Sequence, residues 1–142
     1  MKRGVVIDRA TEVGELLRKV LGRAGHQVWA ATDARAGLAL VGEHHPHVLL
    51  VDRYPPDMHF AEVLNHSRAQ VPTLQVVLMS AKAEPFGLSG QRPDGYLTKP
   101  FKSLRHIEDA VELREESSRV KSLAQSLTDA VAELAPRPRR RR

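Results

Sequence analysis

Four short apolar runs in this chain each lead into a polar side chain. Two runs lead into carboxylates, one into a hydroxyl and one into an ammonium. In chain order these polar residues are Asp8, Asp52, Ser80 and Lys99. A carboxylate can act as a nucleophile and form an acyl phosphate, provided that nearby groups neutralise the charge of the incoming phosphoryl group. The set therefore indicates phosphoryl chemistry, if the fold brings its members together.

The apolar runs predict strands that place these residues at one edge of a sheet. Continuous aliphatic runs are typical of parallel strands buried on both faces, and ligands gather at the carboxyl ends of such strands. A further strand is predicted over Gln27 to Ala31, which includes the only tryptophan, Trp29. Strands that alternate with helices predict an α/β fold with helices on both faces of the sheet.

Three helices are predicted between these strands. The first has one continuous apolar face, with Thr11 as its N-cap and Gly25 after its end. This face consists of Val13, Leu16, Leu17, Val20 and Leu21. Asp33 is predicted to cap a second helix that ends near Pro46, and a third covers about residues 60–67. Between the third strand and the third helix, residues 54–57 must form a loop because they contain paired prolines.

This order of elements and polar residues resembles the receiver domain of response regulators, the CheY-like domain of two-component systems. The resemblance covers roughly residues 3–112 and implies a flavodoxin-like (βα)5 doubly wound parallel sheet. It implies that Asp52 is the phosphoryl acceptor and Asp8 an acid of the metal site, with Mg²⁺ bound by both. Ser80 would contact the phosphoryl oxygens and Lys99 would act as a cationic clamp. Tyr96 matches an aromatic that changes rotamer on activation, although a half-buried strand aromatic is the simpler interpretation.

Arg9 departs from the family pattern, because a second acid usually stands at this position. A usual pocket of three acids and one lysine carries two negative charges, which one Mg²⁺ cancels. Here the formal charges of Asp8, Asp52, Arg9 and Lys99 cancel without a metal. Our hypothesis is that Arg9 pairs with Asp52 or Asp8, so that no cofactor is expected and the pocket keeps one state. Alternatively, Arg9 points into solvent, and Asp8 and Asp52 bind Mg²⁺ weakly.

The segment between Ser80 and Lys99 is predicted to lack the regular fourth helix of the family. Its prolines and glycines, with hardly any apolar periodicity, favour a loop or a single helical turn. These residues are Pro85, Gly87, Gly90 and Pro93. Because receivers commonly use this region for output, the degenerate helix implies a changed partner surface.

The chain after residue 101 is predicted to be helical over a long stretch. Leu104, Ile107 and Val111 are expected to pack on the sheet, which sets domain bounds of 1–113 for the receiver-like part and 114–135 for a helical extension. Apolar residues in that extension recur at spacings typical of a coiled coil, which predicts a homodimer or a partner-binding helix through residues 120–134. The alternative is an amphipathic helix folded back on its own domain.

Positive charge is concentrated in a predicted disordered tail, residues 136–142. The formal net charge is +5, and the tail contains five arginines, so that the rest of the chain is neutral. Such a block favours weak, nonspecific electrostatic contact, with nucleic acid among the partners to test. The cluster His44-His45-Pro46-His47 is interpreted as a solvated helix end rather than a metal site. The chain has no cysteine and no run long enough to span a bilayer, so a cytoplasmic protein without membrane insertion is expected.

These observations favour a stand-alone, atypical receiver that acts as a protein–protein interaction module in bacterial signal transduction. Efficient Mg²⁺-dependent phosphorylation is not expected, because Arg9 alters the pocket. One alternative is a conventional receiver that is phosphorylated on Asp52 and signals by dimerisation. Another is a nucleic-acid-associated protein that uses the arginine tail. An independent enzyme is not predicted, because no complete catalytic or cofactor constellation stands outside this pocket.

Overall fold

The computed structural model describes residues 1–81 and 92–111. These residues contain one sheet of five parallel strands in the order β2-β1-β3-β4-β5. The strands are β1 (Arg3–Ile7), β2 (Gln27–Ala31), β3 (Val48–Asp52), β4 (Gln75–Ser80) and β5 (Gly95–Thr98). The helices are α1 (Thr11–Arg23), α2 (Ala34–His44) and α3 (Phe60–Gln70), followed by α4, which begins at residue 104 and is described to residue 111. The predicted doubly wound parallel sheet is confirmed.

Two apolar layers cover the sheet, one on each face. Alternate residues of the central strands point to opposite faces, as the pleat requires. On one face Val5 and Leu49 pack with α2 and α3, and on the other Val6 and Leu50 pack with α1 and α4. α2 lies so close to β1 that a Cβ at Gly37 would overlap the side chain of Ile7. This packing fixes the carboxyl ends of the central strands, where the polar residues lie.

The strand order places those carboxyl ends side by side. β1 pairs with both β2 and β3, so the order of strands reverses at β1. Ligands of open α/β sheets bind in the crevice at such a reversal. Ile7 is in register with Val51, so the residues that follow β1 and end β3 face each other across the crevice.

Several local predictions are confirmed, because they depend on short-range rules. The Asp33 side chain accepts a hydrogen bond from the Ala36 amide at 2.8 Å and so caps α2. Gly25 has a φ of 94°, a left-handed conformation that ends the chain's first helix and favours glycine. α2 ends at His44, two residues before Pro46, and the segment after β3 is a loop as predicted.

Other local predictions are wrong. Ala10, and not Thr11, is the N-cap of α1, because the helix already begins at Thr11, one residue earlier than expected. Leu16 is 41% exposed because the buried face of α1 is centred on Leu17 and Leu21. Leu104 is 56% exposed because it begins α4 one turn before Ile107, which is the residue that reaches the core.

Three predictions concern segments that lie wholly or largely outside the described residues. They are the degenerate fourth helix, the helical extension at 114–135 and the tail at 136–142. No helix in the described part of the chain is both long enough and apolar enough to cross a bilayer.

Candidate functional site

The Lys99 ammonium bridges two carboxylates at the carboxyl edge of the sheet. Its Nζ lies 2.8 Å from Oδ1 of Asp52 and 2.5 Å from Oδ2 of Asp8. Asp8 directly follows β1, Asp52 is the last residue of β3, and Lys99 directly follows β5. The edge of one parallel sheet therefore brings together three charged residues that are up to 91 positions apart in sequence.

The surroundings hold the three side chains in place. The Asp8 side chain is 2% exposed, that of Asp52 is 16% exposed and that of Lys99 is 25% exposed. The other Asp8 oxygen, Oδ1, accepts a hydrogen bond of 2.9 Å from the amide of Ala10. The second Asp52 oxygen, Oδ2, accepts from the amide of Tyr54 at 3.3 Å. All four carboxylate oxygens therefore have hydrogen-bond donors.

Electrostatics favours the charged form of Lys99. Burial by itself would lower the Lys99 pKa, but the hydrogen bonds to Asp52 and Asp8 and their charges outweigh this effect and raise the pKa above 10.5. The ammonium thus stays protonated at neutral pH. Two carboxylates and one ammonium leave the cluster with one formal negative charge.

Arg9 does not take the position that we predicted. Its side chain is exposed, and its Nη2 donates a hydrogen bond of 3.2 Å to the carbonyl oxygen of Tyr54. Within residues 1–81 and 92–111 it forms no ion pair with Asp8 or Asp52, so the predicted pairing is wrong. Consecutive residues of an extended chain point in different directions, so Asp8 faces the crevice while Arg9 faces outward. Lys99 takes the counter-charge role that we assigned to Arg9.

In this conformation both carboxylates that could bind a Mg²⁺ ion are engaged by Lys99. Mg²⁺ requires oxygen ligands in near-octahedral geometry. In the described part of the chain, no group of three or more acidic, histidine or cysteine side chains is placed to hold a metal. The two available carboxylates are bonded to Lys99, and the guanidinium of Arg9 contributes only donors.

Ser80 contacts the cluster through its backbone, whereas the Tyr96 side chain packs in the core. Ser80 ends β4, and its carbonyl accepts a hydrogen bond of 2.9 Å from the Lys99 amide. This bond fixes the backbone position of Lys99. Tyr96 lies on β5 in register with Leu78 of β4. Its partly buried side chain packs on the face of the sheet that carries α2 and α3. The structure thus brings Asp8, Asp52, Ser80 and Lys99 to one edge, whereas Arg9 faces outward.

Asp57 belongs to this region, although the sequence identified it only as part of a loop. Its Oδ1 accepts from the Ala34 amide at 2.7 Å, and its Oδ2 accepts from the Arg35 amide at 3.0 Å. No sequence signal marks this contact, because the partners are more than twenty residues apart and the loop residue is simply polar. The loop that follows the candidate acceptor therefore contacts the first turn of α2 through Asp57.

A model of the response regulator receiver domain matches residues 5–112. The chain is a member of this family. This response regulator receiver is similar to curated proteins that are named as transcriptional regulators. It is 30% identical over 114 residues to the virulence transcriptional regulatory protein PhoP of Salmonella typhimurium, a match over 78% of this chain and 49% of the relative. It is 31% identical over 100 residues to the probable transcriptional regulatory protein TcrX of Mycobacterium tuberculosis, over 68% of this chain and 43% of the relative.

The chain spans about half the length of these curated relatives. Among solved structures, it superimposes on the chemotaxis response regulator CheY4 of Vibrio cholerae with a TM-score of 0.72 and 21% identity, covering 80% of this chain and 98% of that one. It superimposes on the signal receiver domain of the putative response regulator NarL from Mycobacterium tuberculosis with a TM-score of 0.70 and 30% identity, covering 81% and 96%. The CheY-like, flavodoxin-like fold and a place in two-component signalling are therefore confirmed.

Proposed function

We propose that this receiver works mainly by binding a protein partner, without efficient Mg²⁺-dependent phosphorylation of Asp52. The ammonium of Lys99 is bonded to both carboxylates of the crevice, and Arg9 stands where the family usually has a further acid. The position that supplies a metal ligand in other receivers thus supplies a cation here.

The chemistry of acyl phosphate formation explains the expected loss. Asp52 would have to attack a phosphoryl group that is itself anionic, which requires extra positive charge at the acceptor. Its two oxygens already accept hydrogen bonds from Lys99 and from the Tyr54 amide. Because the cluster retains one formal negative charge, it offers the incoming anion no surplus of positive charge. A divalent ion would supply that surplus, but the donor set does not fit one.

Phosphorylation by a small donor tests this proposal directly. The protein is incubated with acetyl phosphate and Mg²⁺, and its intact mass is recorded beside Asp52→Asn, Arg9→Asp and the double variant Arg9→Asp/Asp52→Asn. We expect no mass gain in the wild type, one phosphoryl group in Arg9→Asp, and none in the double variant. A gain in the wild type that Asp52→Asn abolishes would overturn the proposal in favour of a conventional receiver.

The partner is proposed to be another protein of a two-component pathway, in the cytoplasm. Family membership supports this class of partner, and the module is proposed to act by binding rather than as an enzyme. The homodimer through residues 120–134 and the nonspecific contact of the arginine tail remain predictions. The mass in solution of the full chain and of a chain lacking residues 114–142 tests the first. The salt dependence of nucleic-acid binding tests the second, because phosphate contacts weaken steeply with added salt.

A further inference from the structure

We infer that Asp57 is a positioning residue that couples the loop after Asp52 to the start of α2, so that the two segments change conformation together. This loop, residues 53–59, is called the acceptor loop below. The inference rests on the contacts at the two ends of the acceptor loop. It does not depend on whether Asp52 is phosphorylated.

The distal end of the acceptor loop is attached to α2 by two hydrogen bonds. The first amides of a helix have no partner within the helix. Asp57 accepts from two of them, those of Ala34 at 2.7 Å and Arg35 at 3.0 Å. Asp33 accepts from the next, that of Ala36, at 2.8 Å. The start of α2 thus uses one local carboxylate and one carboxylate that comes from a different loop.

Charge strengthens the distal attachment. The hydrogen bond from Ala34 is the main reason that the pKa of Asp57 lies below 3.8; partial burial opposes this shift, and the Arg35 amide and guanidinium add to it. The Arg35 guanidinium approaches Oδ2 of Asp57 to 4.0 Å. A negative charge is also favoured at the positive end of a helix dipole. The ionised carboxylate is therefore the form that holds α2.

The proximal end of the acceptor loop is attached to the acid crevice. The Tyr54 amide donates to Asp52 at 3.3 Å, and the Tyr54 carbonyl accepts from Arg9 at 3.2 Å. Two prolines, Pro55 and Pro56, separate Tyr54 from Asp57 and restrict the backbone between the two attachments. A displacement at Tyr54 is therefore passed to Asp57 rather than absorbed between them. In this arrangement Arg9 acts on the loop, and through Asp57 on α2.

Amide–solvent exchange measured by NMR on the full chain tests the coupling. Arg9→Ala removes a contact at the proximal end, and we expect several-fold faster exchange at the Ala34 and Arg35 amides at the distal end. The Ala36 amide, which Asp33 holds, should keep its rate. Arg18→Ala is the matched control, because its guanidinium pairs with Glu15 on the exposed surface of α1 at 2.9 Å. This control should leave all three rates unchanged.

Asp57→Ala calibrates the measurement. Loss of the acceptor should speed exchange at Ala34 and Arg35 by about tenfold, and Asp57→Asn, which keeps one acceptor oxygen, by less. Faster exchange in Asp57→Ala but unchanged rates in Arg9→Ala would reduce Asp57 to a helix cap and overturn the coupling. Unchanged rates in both Asp57 variants would overturn the contact itself. These results are independent of phosphoryl uptake, so this inference and the proposed function can fail separately.

Discussion

The two edges of the sheet are held together by different chemistry. At the carboxyl edge, charged side chains hold the loops: Lys99 bridges Asp8 and Asp52, and Asp57 holds the start of α2. At the amino edge, imidazole rings hold the backbone of β1. The Lys2 amide donates to Nδ1 of His26 at 3.0 Å.

The amino edge has a second contact of the same kind. The Arg3 amide donates to Nδ1 of His47 at 2.8 Å, and the His47 amide donates back to the Arg3 carbonyl at 2.8 Å. A ring nitrogen that accepts a hydrogen bond carries no proton. This edge is therefore fixed by neutral acceptors that define where β1 begins between its neighbours.

The contrast indicates where a signal can act. Contacts between ionised groups respond to a change of one charge, such as an added phosphoryl group or a lost ammonium. The neutral contacts at the amino edge are not made by the charged groups of the crevice. They fix the position of β1 relative to its neighbouring strands.

Removal of the ammonium at the carboxyl edge should have the largest effect. Lys99→Met leaves two facing carboxylates, one of them almost fully buried, and should lower the free energy of unfolding by about 3 kcal/mol. Because the pKa of Lys99 is raised above 10.5, the stabilisation is fully present below that pH and is lost as the pH rises through the raised value. Denaturant unfolding measures the change, with Lys102→Met, at an exposed position, as the control. Equal stabilities of the two variants would refute the charge-held edge.

Removal of a neutral acceptor at the amino edge should have a smaller effect. His47→Ala leaves the Arg3 amide without this acceptor and should cost about 2 kcal/mol. His66→Ala, at an exposed position of α3, should stay within about 0.5 kcal/mol of the wild type. The crevice should not sense the change, so the NMR signals of Asp8 and Lys99 should keep their shifts. Large shifts there would show that the two edges are not independent.

Acid pH should weaken the attachment of the acceptor loop to α2. Hydrogen bonds from α2 lower the folded-state pKa of Asp57 below 3.8, so its stabilisation is fully present above pH 3.8 and is lost as the pH falls through the lowered value. The stability difference between the wild type and Asp57→Asn should therefore shrink as the pH falls below 3.8. Denaturant unfolding at a series of pH values measures this difference. A difference that stays constant with pH would show that the Asp57 charge does not stabilise α2.

The smallest effect is expected for Arg9. Its exposed guanidinium donates to one carbonyl, so Arg9→Ala should change the free energy of unfolding by about 0.5 kcal/mol or less. A loss as large as that of Lys99→Met would mean that Arg9 pairs with the carboxylates after all. The same denaturant measurements on the two variants decide between these arrangements.

Sequence patterns predicted the fold better than they predicted the site. The strand at Gln27–Ala31 and the Asp33 cap follow from local rules and are confirmed. The convergence of Asp8, Asp52 and Lys99 also follows from sequence, because parallel strands end at one edge. The direction of the Arg9 side chain does not follow from sequence, because it depends on the three-dimensional position of Lys99, which pairs with both carboxylates.

The unpredicted contacts are the long-range ones. Asp57 meets α2 across 23 positions, and His47 meets Arg3 across 44. A polar loop residue and a histidine beside a proline carry no periodic signal, so the sequence placed Asp57 only in a loop and favoured a solvated helix end for the histidine cluster. Only the packing of separate elements brings these acceptors to their amides.

We propose that Lys99 in the crevice and Arg9 beside it leave no place for a divalent metal. Titration of the ¹⁵N-labelled protein with MgCl₂ tests it most directly, because the backbone signals of Asp8, Asp52 and Lys99 report on the crevice. We expect no saturable shift of these signals in the wild type and a saturable shift in Arg9→Asp. A saturable shift in the wild type, lost in Asp52→Asn, would contradict it.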